Sequence, residues 1–305
     1  MSSSGRLLGI LGLVGVALVL SGCSTGAPGP AKQGSLDHVV IIVEENKPAT
    51  SILGSTEAPF IKQLAARGAV ATDYSAITNP SLPNYIALTS GTTAGITTDC
   101  VPSSCPADVP SIAKKIEEAG RTWKMYAEGM PKPCTRHDAG HYAVRHNPFL
   151  YYPEVTGDAK YCRAHDVPFS ALAHDLKKAD TLPDFAFISP NLCNDMHDCS
   201  IATGDAWLAA EVPKILASPA FTTQNSLLVI TWDEGDKHDN RITTIVAGPA
   251  AKPGYSSDSA FTHYSLLHTI ESDWGIPPLT ANDKAAPVMD ELLKKSETAT
   301  PTPSS

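Results

Sequence analysis

Short, almost unbroken apolar runs along the chain are separated by stretches of helical periodicity. Val39 to Val43, Ala69 to Tyr74, Thr122 to Tyr126, Phe185 to Ile188, Leu227 to Thr231 and Thr243 to Ala247 are rich in β-branched residues and predict strands. Polar alternation is nearly absent from them, so both faces of each strand should be covered. Amphipathic spacing predicts helices at Pro59 to Arg67, Ser111 to Ala119, Trp207 to Leu216, Tyr264 to Asp273 and Val288 to Lys294, with Gly68, Gly120 and Gly275 as stops. This alternation predicts an α/β fold with a mainly parallel central sheet and helices on both faces. The stretch from Asp99 to about Val167, rich in Pro, Cys, His and Tyr, fits neither pattern and is expected to be an elaborated loop region or cap.

The two ends have a different character. Arg6 precedes the largely apolar run Leu7 to Leu20, which has the length of a signal peptide and is too short to span a bilayer comfortably. Leu20-Ser21-Gly22-Cys23 resembles the lipobox of bacterial lipoproteins, which implies lipidation of Cys23. Residues 1–22 are therefore read as a targeting peptide, 23–35 as a flexible tether, 36–295 as the folded body and 296–305 as a loose Ser/Thr/Pro tail. The body is expected outside the cytoplasm, held to the membrane through Cys23 or released.

With 32 acidic against 23 basic residues the net charge is -9, which gives no electrostatic reason to expect nucleic acid as a partner. Beyond Cys23 the cysteines are Cys100, Cys105, Cys134, Cys162, Cys193 and Cys199. An even number in an exported chain without paired C-x-x-C knuckles points to disulfides. Pairing of sequence neighbours, Cys100 with Cys105, Cys134 with Cys162 and Cys193 with Cys199, needs the least rearrangement.

Open α/β sheets carry their chemistry just past the carboxyl ends of strands. Three predicted strands are followed there by polar turns: Glu44-Glu45-Asn46, Asn191 to Asp198, and Asp233-Glu234-Gly235-Asp236. Converging on one edge, their carboxylates would repel one another unless a divalent cation were bound. Oxygen donors with imidazoles suit Mg, Ca, Mn, Fe or Zn. Solvated loop acids are the plainer alternative. Ser81, in Asn79-Pro80-Ser81-Leu82-Pro83-Asn84-Tyr85, leads into a helix, where a hydroxyl sits beside unpaired N–H groups and could serve as a nucleophile or simply as an N-cap. No G-x-S-x-G elbow occurs.

Six segments in order carry a more specific resemblance: His38 to Asn46, Pro80 to Tyr85, Asn194 to Asp198, Gly204 to Leu208, Trp232-Asp233-Glu234, and Thr262 to Leu267. Together they resemble the bacterial phosphoesterase family of acid phosphatases and phospholipases C, a branch of the alkaline phosphatase-like superfamily. The likeness is greatest to the secreted members that act on phosphoinositides, and it extends over about residues 36–290. It implies a metal held by Glu45, Asn46, Asp233 and Glu234, Ser81 as nucleophile, and His197 and His263 on the leaving-group side near Asp195. It further implies substrate contacts from Asn84 and from His146 or Arg145. Members carry a histidine where this chain has Asn79, which cannot become cationic. The implied activity is an exported, metal-dependent phosphomonoesterase acting through a phosphoserine on a phosphorylated small molecule or phospholipid. A phospholipase C-type diesterase and a non-catalytic surface lipoprotein are the alternatives.

Overall fold

A computed structural model describes residues 1–2 and 35–294. The expected targeting peptide beyond Ser2, Cys23 with the tether up to residue 34, and the tail from residue 295 lie outside the described residues. Among the described residues no helix is long and apolar enough to cross a membrane.

Among the described residues ten strands form: β1 (His38–Glu44), β2 (Ala69–Ala71), β3 (Tyr74–Ser75), β4 (Trp123–Ala127), β5 (Asp166–Pro168), β6 (Phe185–Ser189), β7 (Ser226–Trp232), β8 (Thr244–Ala247), β9 (Tyr255–Ser257) and β10 (Phe261–Thr262). The helices are α1 (Ala49–Leu53), α2 (Pro59–Arg67), α3 (Ser81–Ser90), α4 (Ile112–Glu118), α5 (Pro153–Thr156), α6 (Ala159–His165), α7 (Leu172–Asp175), α8 (Ile201–Leu216), α9 (Pro219–Thr223), α10 (His263–Trp274) and α11 (Ala281–Ala285). Eight strands make one sheet in the order β5-β4-β6-β1-β7-β8-β2-β9, while β3 and β10 pair separately. Strand β8 runs antiparallel to both its neighbours and every other pairing in the large sheet is parallel.

The near-continuous apolar runs behave as expected. All seven residues of β1 and all seven of β7 are buried, because helices cover both faces of the sheet centre. Pro59 opens α2 and Gly68 follows its end. The first amides of that helix are satisfied from a distance: the Asp205 carboxylate accepts from the backbone N–H of Phe60 at 3.1 Å and of Ile61 at 2.8 Å.

Three expectations change. The run Ala69 to Tyr74 splits into β2 and β3, which belong to different sheets. No long helix forms over Val288 to Lys294, where only Asp290–Leu292 makes a 3-10 turn. The chain there pairs instead with 250–252: Lys252 N–H donates to Leu292 O and Lys294 N–H to Ala250 O, each at 2.8 Å. The stretch from Asp99 to Val167 is more than a cap. It supplies β4 and β5 to one wing of the sheet and buries Trp123, Phe149, Tyr151 and Tyr152. Disulfides Cys100–Cys105, Cys134–Cys162 and Cys193–Cys199 form in the pairing expected.

Candidate active site

Strands β6, β1 and β7 lie side by side and parallel, so the turns after Ser189, Glu44 and Trp232 leave from one sheet edge. Main-chain bonds tie these turns together. Asp233 N–H donates to Glu44 O at 2.9 Å, and Glu45 N–H donates to Asp195 O at 2.8 Å. The convergence of acids inferred from strand positions is thus built by the backbone.

Helix α3 brings the hydroxyl to this edge. Pro80 is the N-cap and Ser81 the first helical residue, so Ser81 does not act as the cap. Its Oγ donates to Glu45 Oε2 at 3.1 Å, and Tyr85, one turn later, gives its hydroxyl to Glu45 Oε1. Helical spacing predicts that residues four apart share a face, so the sequence held the signal for Tyr85. The Asn46 amide donates to Glu234 Oε1 at 2.9 Å and its N–H to Asp233 Oδ1 at 3.1 Å.

These carboxyls are buried and crowded. Burial, reinforced by Asp233 and Asp195, pushes Glu45 well above the usual range. Burial is also the first cause at Asp195 and Asp233, both raised to about 7, and at Glu234, raised to about 8 and aided by the Asp233 charge. Asn46 Oδ1, Asp233 Oδ2, Asp195 Oδ2 and His146 Nε2 are buried without a hydrogen-bond partner. Glu45, His146 and Asp195 each offer a donor atom within 4.8 Å of the others. Unpaired oxygens and an imidazole around crowded acids are what a divalent cation would satisfy, so the residues fit such an ion. A buried Glu-His-Asp group that could bind a metal is therefore present, with Glu45 shared between it and the Asn46-Asp233-Glu234 side.

The histidines depart from expectation. His146, taken as a substrate contact, is buried between acids, with Nε2 3.4 Å from Glu45 and Nδ1 3.3 Å from Asp195. Burial first, then the Arg145 and His197 charges, hold it well below the ordinary imidazole range. His263 turns to the Asp233 carbonyl and Tyr74. It is fully buried, its Nε2 donates to the backbone oxygen of Asp233 at 2.7 Å, and its Nδ1 faces the Tyr74 hydroxyl at 3.3 Å. Burial takes its pKa down to about 4, so it is a neutral brace for the Asp233 turn, not an exposed imidazolium. His197 is the partly exposed one: Nδ1 donates to Asp198 at 2.7 Å, Nε2 accepts from Arg145 at 3.3 Å, and its backbone N–H donates to Asp195 at 2.8 Å.

Asn84 is likewise not open to substrate. Its side-chain oxygen accepts from the N–H groups of Ile77 and Thr78, and its amide donates to Thr78 O, Pro80 O and Glu234, so it braces the loop before Ser81. Asn79 hydrogen-bonds Glu234, which places the departure from the family's histidine at the acid cluster. The Gly204-Asp205-Ala206-Trp207 segment is structural support. A methyl on Gly204 would overlap the Met196 side chain and come 2.9 Å from Asn194 O, and Trp207 Nε1 donates to Glu128 at 3.2 Å. Glu128, at the end of β4, also accepts from Asn191 N–H and the Asn194 amide. It thereby holds the turn that bears Asp195 and His197. A cavity of about 450 Å³ bordered by Phe60, Leu64, Val212 and Leu216 also reaches Ala247, at the opposite end of the sheet from these groups.

The model of the Phosphoesterase family matches residues 51–277. The chain belongs to the phosphoesterase family. This phosphoesterase, a hydrolase of phosphoric ester bonds, is 40% identical over 255 residues to a phosphatidylinositol-3-phosphatase of Mycobacterium tuberculosis, covering 83% of this chain and 82% of that one. It is 31% identical over 247 residues to a phosphate-repressible acid phosphatase of Penicillium chrysogenum, covering 77% of this chain and 59% of that one. The chain therefore spans little more than half of the fungal protein. In structure the phosphoesterase is similar to a protein of the alkaline phosphatase superfamily from Vibrio parahaemolyticus, with a TM-score of 0.58, 14% identity, and coverage of 84% and 71%. It is also similar to murine ectonucleotide pyrophosphatase/phosphodiesterase 5, with a TM-score of 0.58, 10% identity, and coverage of 85% and 100%. At these identities the likeness establishes the alkaline phosphatase-like fold alone.

Proposed function

We propose that this phosphoesterase is an exported, metal-dependent phosphomonoesterase of acid phosphatase type, acting through a phosphoserine at Ser81, with phosphoinositides among its substrates. The observation that carries the reading is the Ser81 hydroxyl, first in its helix and 3.1 Å from Glu45 among crowded buried acids. Glu45, Asn46, Asp233 and Glu234 would hold the divalent cation, with Asp195 and His146 offering further donors around Glu45. When bound, the ion lowers the pKa of the Ser81 hydroxyl and offsets phosphoryl charge. Its identity is left open among Mg, Ca, Mn, Fe and Zn. Membrane attachment through a lipid on Cys23 completes the proposal and is supported by the Leu20 to Cys23 pattern.

Ser81 attacks phosphorus in line, and its proton passes toward the Glu45 oxygen it already faces. His197, oriented by Asp198 through its Nδ1, would act as the general acid toward the departing alkoxide. Asp195 keeps that histidine in place through its backbone N–H. Water then attacks the phosphoserine, releasing phosphate and restoring the hydroxyl. Positioning and charge neutralisation account for most of the rate in such displacements.

The test is hydrolysis of p-nitrophenyl phosphate and bis-p-nitrophenyl phosphate from acidic to alkaline pH, with and without chelator, by wild type and Ser81→Ala. Monoester turnover that disappears in Ser81→Ala and falls with chelator supports the reading. Preferential diester turnover would replace it with the phospholipase C type. Turnover of soluble esters but not of phosphatidylinositol phosphates in vesicles would remove the lipid substrate.

A further inference from the structure

The carboxylate of Asp99 occupies two of the groups best placed to bind a phosphoryl oxygen at the mouth of the site. Its Oδ1 accepts from the backbone N–H of Leu82 at 3.0 Å, immediately after Ser81. Few such donors exist in this first turn, since Pro83 has no N–H. Its Oδ2 lies 3.8 Å from the Arg145 Nε, and the Nη2 of the same guanidinium lies 3.3 Å from His197. A helix N-terminus beside an arginine is a natural seat for an oxyanion. Here the oxyanion is supplied by the protein.

The backbone next to Asp99 is pinned, while its side chain is partly exposed. Cys100 is closed to Cys105 by a disulfide, and the Tyr151 hydroxyl donates to Cys100 O at 2.6 Å. The Asp99 and Arg145 side chains are 32% and 21% exposed. The Asp99 charge is also felt at Glu234 and His146, so it adds to the negative field that an anionic substrate must enter.

We propose that Asp99 is an internal competitor of the substrate: phosphate displaces its carboxylate, and Arg145 with the Leu82 N–H then binds the non-bridging oxygens. The inference rests on the phosphomonoesterase reading. It makes Arg145 a substrate-binding residue and Asp99 a determinant of substrate affinity. The rival role for the same contact is a helix cap, since Pro80 gives α3 no side-chain cap.

The experiment measures kcat and KM for p-nitrophenyl phosphate, and the rise in Tm produced by inorganic phosphate, for the wild type, Asp99→Ala, Asp99→Asn, Arg145→Gln and the Asp99→Ala/Arg145→Gln double variant. Asp99→Ala is expected to lower KM about tenfold, equivalent to roughly 1.4 kcal/mol, and to enlarge the phosphate-induced rise in Tm. Asp99→Asn lowers KM less, because its amide oxygen can still accept from Leu82. Arg145→Gln raises KM about tenfold and removes most of the gain in the double variant. An unchanged or higher KM in Asp99→Ala with a lower Tm would make the residue a cap and overturn the proposal. If the wild type turns over no ester, the esterase reading fails separately, and the phosphate-induced shift still decides the competition: larger in Asp99→Ala supports it, unchanged overturns it.

Discussion

The rings of Tyr85 and His146 lie parallel, with centroids 5.4 Å apart, and both reach the carboxylate of Glu45. One arrives on α3 and the other on the 3-10 turn Val144–His146. Tyr85→Phe keeps the stacked ring and deletes only the donor to Glu45. Losing this bond to the Glu45 carboxyl costs on the order of 1 kcal/mol, so kcat/KM should fall roughly 5- to 10-fold with a small change in Tm. Steady-state kinetics alongside thermal melts would check this, and unchanged kinetics would remove Tyr85 from the site's working parts.

The metal reading has a readout independent of turnover. A ligand that binds only the folded state raises stability by RT ln(1 + [L]/Kd). A divalent ion should therefore raise the Tm of the wild type, chelator should reverse the rise, and Asp233→Asn should lose most of it. Equal shifts in both proteins would place the ion elsewhere.

The turn bearing Asp195 and His197 is closed by Cys193–Cys199 and rests on Gly204 through Met196. Gly204→Ala forces that side chain to move. Activity is expected to drop at least tenfold while far-ultraviolet circular dichroism stays that of the wild type. Replacing both cysteines by serine should cost about 2 kcal/mol of stability by the loop-entropy model and reduce kcat as well. Retained kcat in both variants would show that the turn keeps its geometry without either support.

Glu271, far from the metal-binding acids in sequence, is buried in α10, and burial followed by the Asp283 charge lifts its pKa to about 9. A carboxyl raised on folding contributes fully below its ordinary value near 4.5, and the contribution is lost as pH climbs toward 9. Glutamine cannot ionise, yet it can accept from Leu279 N–H as Glu271 does at 3.1 Å. Glu271→Gln should therefore be more stable than the wild type at pH 8 by on the order of a few kcal/mol, with the difference vanishing near pH 4. Melts across that range test the sign.

Apolar patterning located the sheet because β1, β6 and β7 are buried on both faces and β4 is buried but for Lys124, and it located α2 because Pro and Gly mark its limits. It was blind to β5, β9 and β10, which are only two or three residues long and owe their conformation to partners distant in sequence. Reading the residues after each strand found Glu45, Asp195 and Asp233. Orientation was the part it lacked. Nothing local says that the His263 imidazole turns inward to the Asp233 carbonyl, or that His146 threads between two acids, since both depend on contacts more than 25 residues away.

The two main-chain bonds that fasten the turns after β1, β6 and β7 involve no side chain at all. Exchange of the side chains at 45, 195 and 233 therefore leaves these two bonds in place. Such a socket can be refitted for a different ester or a different ion by point substitution, and its geometry outlasts any one chemistry it hosts.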